Sequence, residues 1–301
     1  MSMSASAPGK IVLSGEYAVL WDAPAVCMAV NRRAVATVSP SEDGECHLVT
    51  PGFEGMDRYS VLDALLGGQR PANRYTLDTT AFHDDGRKTG IGSSAALTVA
   101  LAAAIHGSTD VADAAMAAHR RLQGGHGSGV DIAAAVHGGL IEYTRSEEGA
   151  RALRWPQGLE YRVVWTGVPA STERQLAKLA AAAVGPSRSA LLLAAPRMCE
   201  AWRSGDAAAV LAEYVPYIGV LRQFSIDHDL GIFDAGHDEL TDAAMVDGLV
   251  YKPAGAGGGD IGMLFGRSDD ELDAFLQRHA HLVNGILDCE LDLAGVRLEA
   301  A

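Results

Sequence analysis

The chain has 301 residues, room for one large domain or two ordinary ones. Apolar residues make up 48% and charged residues 21%, the balance of a globular protein with a substantial core rather than a disordered one. Lys and Arg number 24 against 38 Asp and Glu, a formal net charge of −14, so the basic footprint of a general nucleic-acid or anionic-membrane binder is missing. The first forty residues alternate like strands: Lys10–Leu13 and Glu16–Leu20 flank a Ser-Gly turn, and Ala34–Val38 is a further β-rich run. Cys46–Thr50 and Tyr75–Thr79 are candidate strands. The pattern then turns helical. Ser93–His106 is apolar and alanine-rich with Gly107 as its stop, and Thr109–Gln123 reads as a second helix with Thr109 as N-cap. The turn Gly124–Gly129 leads into a short helix through Val136, and Leu140–Tyr143 resumes as strand.

The polar stretch Ser146–Gly158, with Pro156 and two glycines, reads as a domain boundary dividing residues 1–155 from 156–301. Beyond it, Tyr161–Thr166 is strand-like. Helical patterns follow at Ser171–Val184, Ser187–Arg203, Asp206–Phe224 and about His237–Leu249. The loop Lys252–Asp260 meets an apolar strand, Ile261–Phe265. Ser268 and Glu271 form a capping box opening a helix to about His281, and Leu291–Leu298 closes the chain as strand. Strands and helices mix in both halves, which gives an α+β class in two layers.

Four cysteines are scattered without a CxxC pair, so neither a zinc site nor a disulfide framework is indicated. Met1–Lys10 carries no hydrophobic signal core, and no apolar run reaches the roughly 18–20 residues that span a bilayer. A cytoplasmic protein acting on a small molecule, with neither nucleic acid nor membrane as partner, is the expectation.

Chemistry concentrates in four segments. In Lys88-Thr89-Gly90-Ile91-Gly92-Ser93-Ser94-Ala95, glycines let backbone approach a phosphate, and the helix start offers free N–H groups. No Lys-Ser/Thr follows the second glycine as in a Walker A loop, and the third glycine of a dinucleotide fingerprint is missing. The competing reading is a turn before a serine-capped helix. Pro8–Leu20 reads as strand–turn–strand with Lys10 at its entrance. In Gly127–Asp131, Ser128 can cap a helix with Asp131 three residues on; equally, Asp131 in a first helical turn stays ionised and can orient a nucleophile or accept its proton. Lys252–Asp260 has four glycines in five positions before a core strand, which suits a loop that must meet another backbone or a ligand. Only four residues are lysines, and three lie in or beside these glycine-rich segments, where a compact ammonium suits a point contact to phosphate. Asp227, His228, Asp229, Asp234, His237 and Asp238 follow no metal-ligand spacing and read as a solvated loop.

Together these segments resemble the GHMP kinase superfamily, whose three motifs match, in order, Pro8–Leu20, Gly90–Ala96 and Lys252–Phe265. Within it the strings Gly15–Val19, Gly127–Ala133 and Gly255–Asp260 are most similar to the phosphomevalonate kinase family. The resemblance implies a two-domain fold: an N-terminal α/β domain with a left-handed βαβ-type unit, a ferredoxin-like C-terminal domain, and an active site between them. It implies ATP and Mg²⁺ as cofactors. Lys88, Gly90, Ile91, Gly92, Ser93, Ser94 and Ala95 would hold the ATP phosphates, and Ser93 or Ser94 would ligate Mg²⁺. Lys10 and Asp131 would be catalytic, with Glu16, Tyr17, Ser128, Gly129, Lys252, Gly257 and Gly258 around an anionic acceptor. One departure stands out: His119-Arg120-Arg121-Leu122-Gln123 has no carboxylate where several members place a second Mg²⁺ ligand, although phosphomevalonate kinases look similar there. Asp131 favours a hydroxyl acceptor such as mevalonate; Arg120, Arg121, Arg145 and the lysines favour a phosphate acceptor. For phosphomevalonate, Asp131 is cast as orienting Lys10 or the metal. A non-catalytic ligand sensor is the reading from another class, and no GxSxG elbow supports a hydrolase.

Overall fold

Long β-branched and alanine-rich runs at the N-terminus form two long strands, β1 (Met3–Ser14) and β2 (Ala25–Pro40). A computed structural model describes residues 2–51, 59–84, 86–125, 127–146, 150–181 and 185–300. The chain divides into two compact units. The first comprises Met1–Ile11, Cys27–Ile141 and Glu290–Ala301; the second comprises Val12–Val26 and Glu142–Cys289.

In the first unit, β1 and β2 are followed by β3 (His47–Val49), α1 (Tyr59–Leu66), β4 (Asn73–Asp78) and a ribbon of β5 (His83–Asp84) and β6 (Arg87–Lys88). Then come α2 (Ser93–His106), α3 (Ala112–Leu122), α4 (Val130–His137) and β7 (Leu140–Tyr143). With β13 (Arg297–Glu299), the sheet runs β13-β1-β2-β4-β3, and β7 also pairs with β2. Most of α2 is buried all round, from Ala95 through Ala104. Its alanines let α3 and α4 pack against it, so a short apolar helix becomes the centre of this unit. Gly107, at φ +61°, ends it as expected.

The second unit holds β8 (Ala150–Leu153), β9 (Glu160–Trp165), α5 (Thr172–Ala181), α6 (Pro186–Ser204), α7 (Ala207–Asp227), α8 (His237–Val246), β10 (Val250–Pro253), β11 (Ile261–Gly266), α9 (Asp269–Arg278) and β12 (Gly285–Leu287). Its sheet runs β10-β11-β9-β12, with all three pairings antiparallel. Taking β9, β10, β11 and β12 as strands 1 to 4, with helices after the first and third, this is the β-α-β-β-α-β plan of a ferredoxin-like domain. Leu240 and Ala244 of α8 and Leu272, Phe275 and Leu276 of α9 recur every three or four residues. That spacing turns one face of each helix onto Val164, Tyr251 and Leu264 of the sheet.

Several predicted elements differ from those observed. Glu16–Leu20 is not a strand: Gly15 and Tyr17 take positive φ, and a single 3₁₀ turn, Ala18–Trp21, follows. α3 starts at Ala112 rather than after Thr109, because the Ser108 hydroxyl accepts from Asp110 N–H and delays the helix. α9 stops at Arg278, and Ala280–Leu282 is a separate 3₁₀ turn. The final strand is only Arg297–Glu299; Leu291 makes an isolated bridge with Val30. β12 carried no pattern that the sequence reading picked up. The capping box of Ser268 and Glu271 is present. The predicted helix end at residues 182–184, residue 126 of the glycine turn, and residues 147–149 of the polar stretch lie outside the described residues.

Candidate active site

In the first unit, several of the predicted site residues gather at the start of α2. β1 brings Gly9 and Lys10 beside the loop Gly90–Gly92, where the Lys10 N–H donates to the Ile91 carbonyl at 2.8 Å. A Cβ at Gly9 would stand 2.6 Å from that carbonyl oxygen and 2.7 Å from the Phe82 ring, so only glycine admits this approach. Thr89 anchors the loop from the other end, its N–H and hydroxyl both donating to the Phe82 carbonyl at 3.1 and 2.8 Å. Gly92 sits at φ +87° as the N-cap of α2, and the Lys10 stem lies over it: a Cβ there would be 3.0 Å from Lys10 Cγ and 3.1 Å from Cε.

No side chain caps α2, so the alternative of a serine-capped helix is overturned. The Ser93 Oγ is buried with no hydrogen-bond partner, and the first N–H groups of the helix have no intrahelical acceptor. An uncapped helix start with an unpartnered buried hydroxyl is an anion cradle: peptide dipoles and N–H donors converge where a side-chain oxygen would otherwise sit. Lys88 stands exposed on the β5–β6 ribbon, and Ala95 is buried in the first turn of α2.

α4 starts in the same way. Gly129, at φ +85°, is its N-cap, and no side chain caps it in the usual geometry. The Ser128 hydroxyl accepts from Val130 N–H at 3.4 Å instead, so the predicted Ser128–Asp131 capping pair does not form. Asp131 lies in the first helical turn with its side chain 22% exposed. His119 of α3 reaches toward it, its Nε2 4.0 Å from Asp131 Oδ2. Burial pushes the His119 pKa down; the Asp131 charge opposes that shift and the Lys10 charge adds to it. Lys10, His119 and Asp131 therefore share one electrostatic neighbourhood. Arg121 donates to the Ala64 carbonyl at 2.6 Å, and Arg120 lies exposed.

In the second unit, Glu16 and Lys252 are both buried and form an ion pair, Lys252 Nζ on Glu16 Oε1. Tyr217 of α7 donates its hydroxyl to Glu16 Oε2 at 2.7 Å and accepts from Gly15 N–H at 2.7 Å. Tyr17 holds an unusual φ of +60°, donates its hydroxyl to the Ala256 carbonyl at 2.5 Å, and packs its ring 5.6 Å from that of Phe224. Burial pushes its phenol pKa up, and the Glu16 charge adds to that. Glu16, Tyr17 and Lys252, expected around an acceptor, are thus engaged with one another's segments: Glu16 with Lys252 and Tyr217, and Tyr17 with the glycine loop.

That loop packs backbone on backbone. Gly258 N–H donates to the Ile232 carbonyl at 2.8 Å, and Asp260 N–H donates to the Val168 carbonyl at 2.7 Å. A Cβ at Gly257 would come within 2.6 Å of the Ile232 oxygen, so bulk is excluded there. His237 locks the other side: its Nε2–H donates to the Gly259 carbonyl at 3.1 Å, and its Nδ1 accepts from the Tyr251 hydroxyl at 2.8 Å. His237 is fully buried, which corrects its place in a solvated acidic loop; desolvation pushes its pKa down to about 4. Arg145 donates to the Leu20 carbonyl at 3.0 Å.

Sequence reasoning named His119 only for lacking a carboxylate and did not single out Tyr217. His119 could have been found from its spacing. It precedes Gln123 by one helical turn, and both polar side chains face Gly127–Asp131. Tyr217 lies mid-helix among apolar neighbours and carries no such signal. Among the described residues, no group of three His, Cys, Asp or Glu side chains is arranged to hold a metal, no helix is long and apolar enough to cross a membrane, and none of the four cysteines forms a disulfide.

No family model matches the chain. It is 31% identical to a phosphomevalonate kinase of Streptomyces sp. (strain CL190), over 85% of this chain and 88% of that one. Its fold is similar to that of Lin0012 from Listeria innocua, at TM-score 0.85 and 21% identity over the whole of both chains. It is also similar to Streptococcus pneumoniae phosphomevalonate kinase in complex with phosphomevalonate and AMPPNP, at TM-score 0.79 and 17% identity over 98% of this chain and 99% of that one.

Proposed function

The chain belongs to the GHMP kinase superfamily, most like the phosphomevalonate kinases, and from that premise we propose that it transfers the γ-phosphoryl group of ATP to phosphomevalonate, giving diphosphomevalonate. One observation carries the site: α2 begins uncapped behind Gly90–Gly92, with the Ser93 hydroxyl buried and unpartnered and Lys10 lying over Gly92. On this reading the free N–H groups of Ser93, Ser94 and Ala95 receive phosphate oxygens of ATP, and glycine at 90 and 92 keeps side chains out of their way.

Mg²⁺ suits this cradle, because a hard cation takes hydroxyl and phosphate oxygens, and Ser93 offers an oxygen that no protein group uses. Ser93 and Ser94 would hold it, and it would supply neutralisation of phosphate charge. Lys10 then faces the transferring phosphoryl group, where its ammonium stabilises charge that grows in the transition state. A phosphate monoester, with a second pKa near 6, is already ionised at neutral pH and does not require a base. Asp131 accordingly orients Lys10. Mevalonate is the second reading, favoured by that same carboxylate, which a hydroxyl acceptor would use as a base.

The test is a coupled ADP-release assay with Mg-ATP and phosphomevalonate, mevalonate, homoserine or galactose. Turnover of phosphomevalonate is expected. Turnover of mevalonate alone would overturn the acceptor, and silence on all four would favour a ligand sensor. Lys10→Met and Asp131→Asn should each fold normally and lose at least about 100-fold in turnover, the scale of groups acting in the transition state. A near-normal rate removes that residue from the catalytic pair.

A further inference from the structure

His119 is a buried side chain with unmet hydrogen-bonding capacity. Its side chain is 4% exposed, and neither ring nitrogen has a hydrogen-bond partner. A neutral imidazole carries one donor and one acceptor, so both face the full cost of desolvation with nothing in return. Asp131 shows the complementary deficit. Its carboxylate is partly exposed and accepts no hydrogen bond among the described residues, while His119 Nε2 stands 4.0 Å from Oδ2. A closure of about 1 Å would bring the two to ordinary hydrogen-bonding distance, and contacts at catalytic sites are commonly long in a free enzyme and tighten in its complex.

The surroundings favour that partnership. Gln123, one helical turn on from His119, has a buried Oε1 without a partner and lies so close to Gly127 that a Cβ there would overlap it. One face of α3 thus sets two underused polar side chains along the segment Gly127–Asp131. Burial pushes the ring's pKa down and the Lys10 charge acts the same way, while the Asp131 charge opposes them. An imidazole carries an N–H in either protonation state, so the ring can donate a hydrogen bond to Asp131.

We propose that His119 is a positioning residue, whose Nε2–H donates to the Asp131 carboxylate when substrates engage and fixes the orientation in which Asp131 serves Lys10. The inference rests on the reading of Asp131 as a residue of the catalytic site, and the experiment separates the two. Wild type, His119→Leu, His119→Gln, Asp131→Asn and the His119→Leu/Asp131→Asn double variant are compared for kcat, for KM of ATP and phosphomevalonate, and for Tm. His119→Leu should lower kcat at least about ten-fold, the low end for residues that support a site from behind, with KM of ATP changed less than about two-fold. His119→Gln, whose amide falls near the place of Nε2, should recover most of that loss. In the Asp131→Asn background, His119→Leu should cost less than about two-fold more, because the carboxylate that His119 would orient is already gone, even though the amide oxygen can still accept its hydrogen bond.

An unchanged kcat in His119→Leu, or the same ten-fold loss in both backgrounds, overturns the proposal and leaves the role of Asp131 intact. A normal rate in Asp131→Asn overturns both. If His119→Leu does not yield folded protein, His119→Asn against His119→Gln carries the test. Asparagine places its amide near Nδ1, so the glutamine variant should turn over faster, and equal rates refute the inference.

Discussion

Removing one end of the Glu16–Lys252 pair should destabilise the second unit far more than removing both. Lys252 is fully buried and the Glu16 side chain is 1% exposed, so neither charge has water as a fallback. Lys252→Met keeps most of the stem volume and deletes the ammonium. Glu16 then retains the Tyr217 hydroxyl on Oε2 and loses its counter-charge on Oε1. An uncompensated buried carboxylate costs about 3–5 kcal/mol. Glu16→Gln with Lys252→Met leaves no buried charge, and its amide can still accept from Tyr217, so the double variant should recover at least about half of the loss. All four tryptophans, at positions 21, 155, 165 and 202, fall in the second unit, so their fluorescence reports its unfolding selectively. With a urea m-value of about 2–3 kcal/mol/M, Lys252→Met should lower the midpoint by about 1–2 M. A shift below about 0.3 M, or a double variant whose loss is the sum of the singles, would refute the assignment of Lys252 to the pair. A raised KM for the acceptor at an unchanged midpoint would instead assign the ammonium to the substrate.

Ser93→Ala should separate stability from function: deleting a buried hydroxyl without a partner leaves Tm equal or slightly higher, while turnover at low ATP falls about ten-fold, and a lowered Tm would show that the hydroxyl is structurally bonded. Gly92→Ala should cost about 1–2 kcal/mol for a left-handed non-glycine residue and should lower kcat further by displacing the Lys10 stem; wild-type kcat with altered Tm alone would exclude that displacement. His237 gives the second unit an acid sensitivity. Its pKa is about 4 folded against an ordinary 6.5, so above pH 6.5 it is neutral in both states and its contribution is whole. Between 6.5 and about 4 the unfolded chain takes up a proton that the folded chain refuses, and stability declines by about 3 kcal/mol in all. Tryptophan-detected urea midpoints in His237→Asn should flatten this slope; an unchanged slope would assign it to other groups.

Much of the fold was legible because its signals are local. The boundaries of α2 follow from Ser93 and Gly107, and the start of α9 follows from the Ser268 capping box. The backbone of the loop before α2 was legible for the same reason, since glycines at 90 and 92 announce the left-handed conformation that they adopt. What escaped depends on contacts far along the chain. Glu16–Leu20 alternates like a strand, yet Glu16 is held by Lys252, 236 residues on, and by Tyr217, so long-range bonds override its pattern. His237 looked solvated beside acidic neighbours, and its burial is set by Tyr251 and the Gly259 carbonyl. The serine at 93 suggested a cap on propensity alone, whereas its hydroxyl is left without a partner.

The acidity of the chain sharpens what the loop must do. A net charge of −14 opposes any polyanion, and few lysines are available to counter it. Lys252 is neutralised inside the second unit by Glu16. Lys178 is bonded to the Asp229 carbonyl and carboxylate at 2.6 and 3.2 Å, and Lys88 stands on the exposed ribbon. Lys10 is the lysine whose stem lies over Gly92 of the loop Gly90–Gly92. A single ammonium cannot balance a triphosphate and a phosphate monoester together. Beyond Mg²⁺ and arginines, the backbone can add positive potential, and on the proposed reading the two helix starts are where it would do so. α2 and α4 each open on a left-handed glycine with no side chain in the usual capping geometry; Val130 N–H meets the Ser128 hydroxyl, and the other first-turn N–H groups carry partial positive charge without adding to the formal count. Glycine at 92 and 129 is therefore more than a conformational convenience. A serine or aspartate in either cap position would fill the donors and add negative potential where the phosphates are proposed to bind, which an acidic chain using these helix starts in that way would have to avoid.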